Sequence, residues 1–169
     1  MPRYRRHFAS GQTVFLTLVC HGRRPWLGRA GARDAVLSAL RDVHVRTPFR
    51  HHGHVLLDDH LHLMLRPSAA AGVPQLVGDF KRAVQARIRQ PDSRTRLWQR
   101  RYHDHIIRGA EDFARHLDYL HFNPVKHGLV HRAWEWPWTS LSSWIDRGVY
   151  PEGWGEIEPD YLKNLAGRE

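Results

Sequence analysis

His51-His52-Gly53-His54-Val55-Leu56-Leu57, then Asp58-Asp59, then His60-Leu61-His62-Leu63-Met64-Leu65-Arg66, reads as two strands and the turn that joins them. The second strand alternates cleanly. His60, His62, Met64 and Arg66 point to one face, and Leu61, Leu63 and Leu65 to the other. The leucines anchor the strand in a core. The two imidazoles then stand side by side, two residues apart on a rigid element, which suits a pair of metal ligands. Two surface histidines are the plainer reading of the same residues.

Outward from this hairpin, Thr13 to Val19 is a strand rich in β-branched and aromatic residues, buried on both faces. Gly22 to Gly31 is a basic turn. Arg33 to Val45 is a helix, with Val36, Leu37, Leu40 and Val43 at helical spacing and Pro48 beyond its end. After the hairpin, a second helix runs from Val73 to Gln90 on the stripe Val73, Leu76, Val77, Phe80, Val84 and Ile88. Pro91 to Arg96 is a polar loop, and Tyr102 to Ile107 a short strand. A third helix spans Ala110 to Phe122, stopped by Asn123-Pro124. The order β-α-β-β-α-β-α predicts an α+β fold: a ferredoxin-like antiparallel sheet with helices packed on it. An irregular C-terminal extension follows, carrying Trp134, Trp136, Trp138, Trp144 and Trp154. Residues 1–143 form the expected domain, and 144–169 a tail that packs on it by aromatic burial.

The whole is 169 residues, enough to bury a core. Lys plus Arg outnumber Asp plus Glu by 26 to 17, a net charge of +9. Such a surface attracts polyanions, and the excess of Arg suits phosphate because a guanidinium bonds two oxygens at once. The single cysteine, Cys20, excludes a disulfide within the chain and reads as a small core residue. No stretch approaches the roughly 20 apolar residues of a membrane span. The start, Met1-Pro2-Arg3-Tyr4-Arg5-Arg6, lacks the apolar region of a secretory signal. A cytoplasmic protein is expected.

The third helix carries a second chemical pattern. Phe113, Leu117 and Leu120 form its core stripe. Asp112, His116, Tyr119 and Asn123 form a neighbouring stripe at i, i+4, i+7 and i+11. Tyrosine can act as a covalent nucleophile, and an asparagine amide oxygen can bind a metal. The same two residues could also close a core edge and cap a helix end.

The segments Asp59-His60-Leu61-His62-Leu63, Trp98-Gln99-Arg100-Arg101-Tyr102, His116-Leu117-Asp118-Tyr119-Leu120-His121-Phe122-Asn123-Pro124-Val125-Lys126-His127-Gly128 and Trp136-Pro137-Trp138-Thr139-Ser140 resemble the REP-associated tyrosine transposases. These are bacterial relatives of the single-tyrosine insertion-sequence transposases. The resemblance covers nearly the whole chain, from Tyr4 to near Trp154. Leu57-Asp58-Asp59 departs from the family's more usual Met-Pro-Asn or Leu-Pro-Glu, a change in the turn that leaves both histidines in place.

The resemblance implies a ferredoxin-like nuclease of the His-hydrophobe-His class. It implies His60 and His62 as ligands of a divalent metal, Mg²⁺ or Mn²⁺, with Asn123 as a third, amide ligand. His105, His116 and His121 are competitors for that place. It implies Tyr119 as nucleophile, forming a 5′-phosphotyrosine on single-stranded DNA and freeing a 3′-hydroxyl. A phenol, with an ordinary pKa of about 10, needs a neighbouring cation or base for this. The implied target is the hairpin of a repetitive extragenic palindrome (REP). Arg3, Arg5, Arg6, Lys81, Arg82, Arg100, Arg101 and Lys126 would track the DNA, with Tyr and Trp for base stacking. The protein would act as a monomer or a homodimer. Two other readings stand beside this one: a hairpin-binding protein without catalysis on the same scaffold, and an RNA-processing metal nuclease.

Overall fold

The computed structural model describes residues 11–68, 72–88 and 96–162. Arg3, Arg5 and Arg6 therefore lie outside the described residues. Four strands form one antiparallel sheet: β1 (Val14–Val19), β2 (Phe49–Leu56), β3 (His60–Pro67) and β4 (His103–Ile106). Their order across the sheet is β2-β3-β1-β4. Helices α1 (Ala32–Arg46) and α2 (Val73–Arg87) make the two crossovers, so the element order and the sheet order together are ferredoxin-like.

The sheet divides two apolar clusters, and strand alternation decides which residue joins which. Val14, Leu16 and Leu18 of β1 and Leu61, Leu63 and Leu65 of β3 pack with α1 and α2. Phe15 and Met64 face the other way, against the third helix, α3 (Ala110–Lys126), and the C-terminal segment. Both sides of β1 and β3 are thus covered, and β1 is buried along its whole length. Cys20 is buried at the end of β1, as its apolar setting predicts.

Two helix ends differ from expectation. Helix α2 closes at Arg87 with Ile88 as its C-cap, short of Gln90, which lies outside the described residues. Helix α3 does not stop at Asn123-Pro124 but continues to Lys126. A proline inside a helix forfeits the hydrogen bond its own N–H would make. Here that loss falls in the last turn, and Phe122, Asn123 and Pro124 are all buried, so packing outweighs it. The helix ends instead at Gly128, whose φ of 66° few other residues tolerate and whose N–H bonds the Val125 carbonyl at 2.9 Å.

The C-terminal segment is more ordered than its composition suggests. It contains a short helix α4 (Leu141–Ile145), which runs across residues 143 and 144, and 3₁₀ turns at Ala133–Glu135 and Asp160–Leu162. Its tryptophans act as hydrogen-bonding struts. Trp136 donates to the Leu56 carbonyl at 3.0 Å, and Trp144 to the His52 carbonyl at 2.8 Å. Both fix the segment to β2, beside α3.

Candidate active site

The register of β1 against β3 assembles the site. Thr17 lies opposite His62, and Phe15 opposite Met64. Thr17 Oγ1 and His62 Nδ1 share a hydrogen bond of 2.9 Å, while the Phe15 ring stacks on the His62 ring with centroids 5.1 Å apart. One strand position away, His60 Nδ1 and Asp59 Oδ1 are 2.6 Å apart. Each imidazole is therefore oriented through Nδ1 by a neighbour, leaving Nε2 as the nitrogen that can ligate. The two rings are edge to face at 5.0 Å.

Helix α3 closes over this pair. The Tyr119 ring lies 5.6 Å from the His62 ring and 6.0 Å from Phe15. Asn123, one turn on, is fully buried. The Nε2 atoms of His60 and His62 and the Oδ1 of Asn123 are buried. Two imidazole nitrogens and an amide oxygen form a donor set that suits a divalent ion.

Lys126 completes the arrangement. Its Nζ donates to the Tyr119 hydroxyl at 3.0 Å and lies 4.6 Å from the centre of the Tyr119 ring. His127 stands against His60, ring centroids 5.0 Å apart. Burial lowers the pKa of the Lys126 ammonium from its usual value, against the charge of Glu158. Burial, helped by His127 and Lys126, pushes the His62 imidazole down to about 3, so it is neutral at pH 7, as a ligating histidine must be. Burial works to raise the Asp59 carboxyl, but hydrogen bonds and charge from His60 and Arg23 outweigh it and hold it below its usual range. The replaced turn residues thus have a local role, Asp59 orienting His60 while Arg33 pairs with Asp58.

The other histidines named above separate from this site. His121 faces the C-terminal segment, bonded to Tyr150 Oη at 3.0 Å and Ser140 Oγ at 2.9 Å. His105 and His116 converge with Asp112, with one ligand atom from each within 4.8 Å of the others. The expected DNA track divides as well. Lys81, Arg82 and Arg100 line one groove of about 420 Å³ with Gln85, Arg96 and Trp98, and Arg101 is exposed just beyond it. Lys81 is also tied to the Gln99 carbonyl at 2.7 Å. Lys126 is not among the residues that line this groove; its Nζ bonds the Tyr119 hydroxyl.

Phe15, Thr17 and Asp59 were not singled out from the sequence for this site. The alternation of Phe15, Thr17 and Val19 along β1 is a signal that could have found the first two. It needs the β1–β3 register to be read.

The ferredoxin-like sheet thus carries two buried imidazoles on a central strand, with a tyrosine on the helix that covers them. No family model matches the chain. It is 32% identical to a Haemophilus influenzae protein named as a REP-associated tyrosine transposase, over 92% of this chain and 94% of that one. It is 30% identical to the REP-associated tyrosine transposase of Escherichia coli, over 95% of each. A solved REP-associated tyrosine transposase bound to a REP hairpin superposes with a TM-score of 0.80 at 27% identity, covering 95% of this chain and 96% of that one. A transposase structure from Deinococcus radiodurans, 20% identical with a TM-score of 0.50, covers 67% of this chain and 90% of its own, and shares the fold. The chain belongs to the REP-associated tyrosine transposases. It is accordingly a transposase-type enzyme. No helix among the described residues is long and apolar enough to cross a membrane.

Proposed function

We propose that this transposase cleaves and rejoins single-stranded DNA beside REP hairpins, with Tyr119 as nucleophile and His60, His62 and Asn123 as ligands of Mg²⁺ or Mn²⁺. The observation that carries the reading is the Tyr119 hydroxyl, held by Lys126 at 3.0 Å while its ring lies against His62. The solved relative bound to a REP hairpin supports the substrate class.

The chemistry follows from these residues. The Tyr119 oxygen attacks phosphorus, a P–O bond to tyrosine forms, and the bond to the 3′ oxygen breaks. The product is a 5′-phosphotyrosine and a free 3′-hydroxyl, and a later 3′-hydroxyl reverses the step and joins strands. Lys126 stabilises the phenolate that develops as the proton leaves. When bound, the divalent ion neutralises phosphate charge and stabilises the departing oxygen. His60 and His62 can present Nε2 to it because Asp59 and Thr17 fix their rings. The groove of Lys81, Arg82 and Arg100, with Arg101 beside it, supplies phosphate contacts. Arg3, Arg5 and Arg6, outside the described residues, are proposed as further contacts.

The test is a labelled REP hairpin with a single-stranded flank, incubated with the protein and Mn²⁺ and then denatured. Wild type should give a protein–DNA band. Tyr119→Phe keeps the ring and the fold but should give none, since phenylalanine has no atom that can attack phosphorus. An undiminished band from Tyr119→Phe would sink the assignment. Absence of a band from wild type, with intact hairpin binding, would favour the non-catalytic reading. A band on RNA in place of DNA would favour the RNA-processing one.

A further inference from the structure

Two turns before Tyr119, the same stripe of α3 meets β4. His105 Nε2 lies 2.8 Å and 3.1 Å from the two carboxylate oxygens of Asp112. His116 Nδ1 lies 2.9 Å from Asp112 Oδ1 and 2.9 Å from the Asp112 backbone carbonyl oxygen. The two rings are stacked, centroids 4.3 Å apart and planes within 10°. His116 is buried, while His105 and Asp112 are each about a quarter exposed, so one side of the group opens to water.

Both rings converge on one carboxylate, and a neutral imidazole offers a lone pair on one of its two nitrogens. Two such nitrogens and a carboxylate oxygen suit a cation bound by all three. Zinc sits about 2.0–2.1 Å from imidazole nitrogen and about 2.0–2.2 Å from carboxylate oxygen, so its tetrahedral ligands stand roughly 3.3–3.5 Å apart. Ligand atoms already gathered within 4.8 Å need only a small closure. Asp112 Oδ2 also accepts the Arg108 backbone N–H at 2.7 Å, which orients the carboxylate from outside.

We propose that His105, Asp112 and His116 form a second divalent-cation site, suited to a transition ion such as Zn²⁺, that clamps β4 to the start of α3. Two nitrogens and one carboxylate supply too few oxygens for Ca²⁺ or Mg²⁺ and favour a borderline ion. The fourth position faces the open side and takes water. The clamp acts on the helix that carries Tyr119. Its nearest link to His62 is the Phe15 ring, whose centre lies 5.1 Å from each of the His62 and His116 rings. The site does not depend on how DNA is cleaved.

The experiment strips the protein of metal with a chelator. It then titrates Zn²⁺ by calorimetry and Co²⁺ by visible absorption, which reports imidazole ligation directly. The His60→Ala/His62→Ala protein should still bind one equivalent, and Zn²⁺ should raise its melting temperature. Adding His105→Gln and Asp112→Asn to that protein should weaken this binding about 100-fold or more. Both changes keep hydrogen-bonding side chains, and the asparagine can still accept from Arg108. If that protein does not fold, His105→Ala alone, on an edge strand, replaces it with the same expectation. No bound equivalent in His60→Ala/His62→Ala, or undiminished affinity after the His105 change, would overturn the proposal.

Discussion

The Tyr119 oxygen and the Lys126 ammonium, 3.0 Å apart, are two atoms on which catalysis should turn. A phenol attacks phosphorus only as its proton leaves, and a cation held against it stabilises that state selectively. Lys126→Met keeps the length of the stem and removes the charge. Adduct formation should slow by about 10²- to 10³-fold while hairpin affinity falls only slightly, as a single-turnover gel assay would measure. Lys126→Arg should restore part of the rate. An unchanged rate in Lys126→Met would return Lys126 to the role of a phosphate contact. Asp59 acts one step further out, through His60 Nδ1 at 2.6 Å. If His60 and His62 hold the metal as proposed, Asp59→Asn should weaken Mn²⁺ there by about 10- to 100-fold, with the maximal rate recovered at saturating metal. A Mn²⁺ titration of cleavage that overlays wild type would refute this.

At the level of elements, α3 shows how far the sequence could be read. Its stripe Asp112-His116-Tyr119-Asn123 and the alternation of β3 together locate the histidines, the tyrosine and the asparagine, because each follows from one element's own period. What needs two elements was hidden. Thr17 and Phe15 reach His62 only through the β1–β3 register. A helix that stops at Phe122, before Asn123-Pro124, also hides that Lys126 lies seven residues after Tyr119 on one continuous helix, two turns along the same side. The far face of α3 carries its own prediction. Tyr150 donates to Asp118 at 2.8 Å, so its oxygen can accept from His121 Nδ1, and Ser140 can donate to Nε2. These bonds suit neutral His121, and burial pushes it down to about 3. A folded-state pKa below the unfolded value of about 6.5 means the unfolded chain takes up the proton first. The stabilisation is complete above pH 6.5 and is lost as pH falls toward 3, by about 1.4 kcal/mol per pH unit. His62 is lowered in the same direction. His121→Gln should therefore flatten the acid limb of a plot of unfolding free energy against pH, measured by urea denaturation between pH 6.5 and 4. An unaltered slope would mean that His121 does not titrate on unfolding.

Across the whole molecule, charge and the C-terminal segment set the terms on which DNA meets the site. With a net charge of +9, hairpin affinity should fall by roughly 10³ between 50 and 200 mM salt if six phosphates are neutralised. A flat salt titration would contradict a phosphate-tracking surface. The segment from Pro151 onward poses a sharper question, because its acidic residues could restrain the site and its apolar ones could complete the fold. Glu158 acts on the charge of Lys126, which places acidic charge near the tyrosine. The packing, however, is extensive. Leu162 is buried in the α3-side cluster, and the Trp154 ring packs at a tilt against Tyr150, centroids 4.2 Å apart. Tyr161 donates to Asp118 at 2.6 Å. Gly155, at φ 95°, accepts from the Ala133 N–H at 3.1 Å, in a gap where a Cβ would come within 2.5 Å of Ala133 Cβ. Removing this segment exposes apolar surface worth about 3–5 kcal/mol. For a chain of this size that corresponds to a melting temperature lower by roughly 6–20 °C. The point variant Gly155→Ala should cost about 1–3 kcal/mol by strain and overlap without removing any acidic residue. Thermal melts of the truncation at Pro151 and of Gly155→Ala should both shift downward, the truncation further. A truncated protein that melts with wild type and cleaves faster would show the opposite: the segment would then serve to hold Glu158 near Lys126, and its contacts with α3 would add nothing to stability.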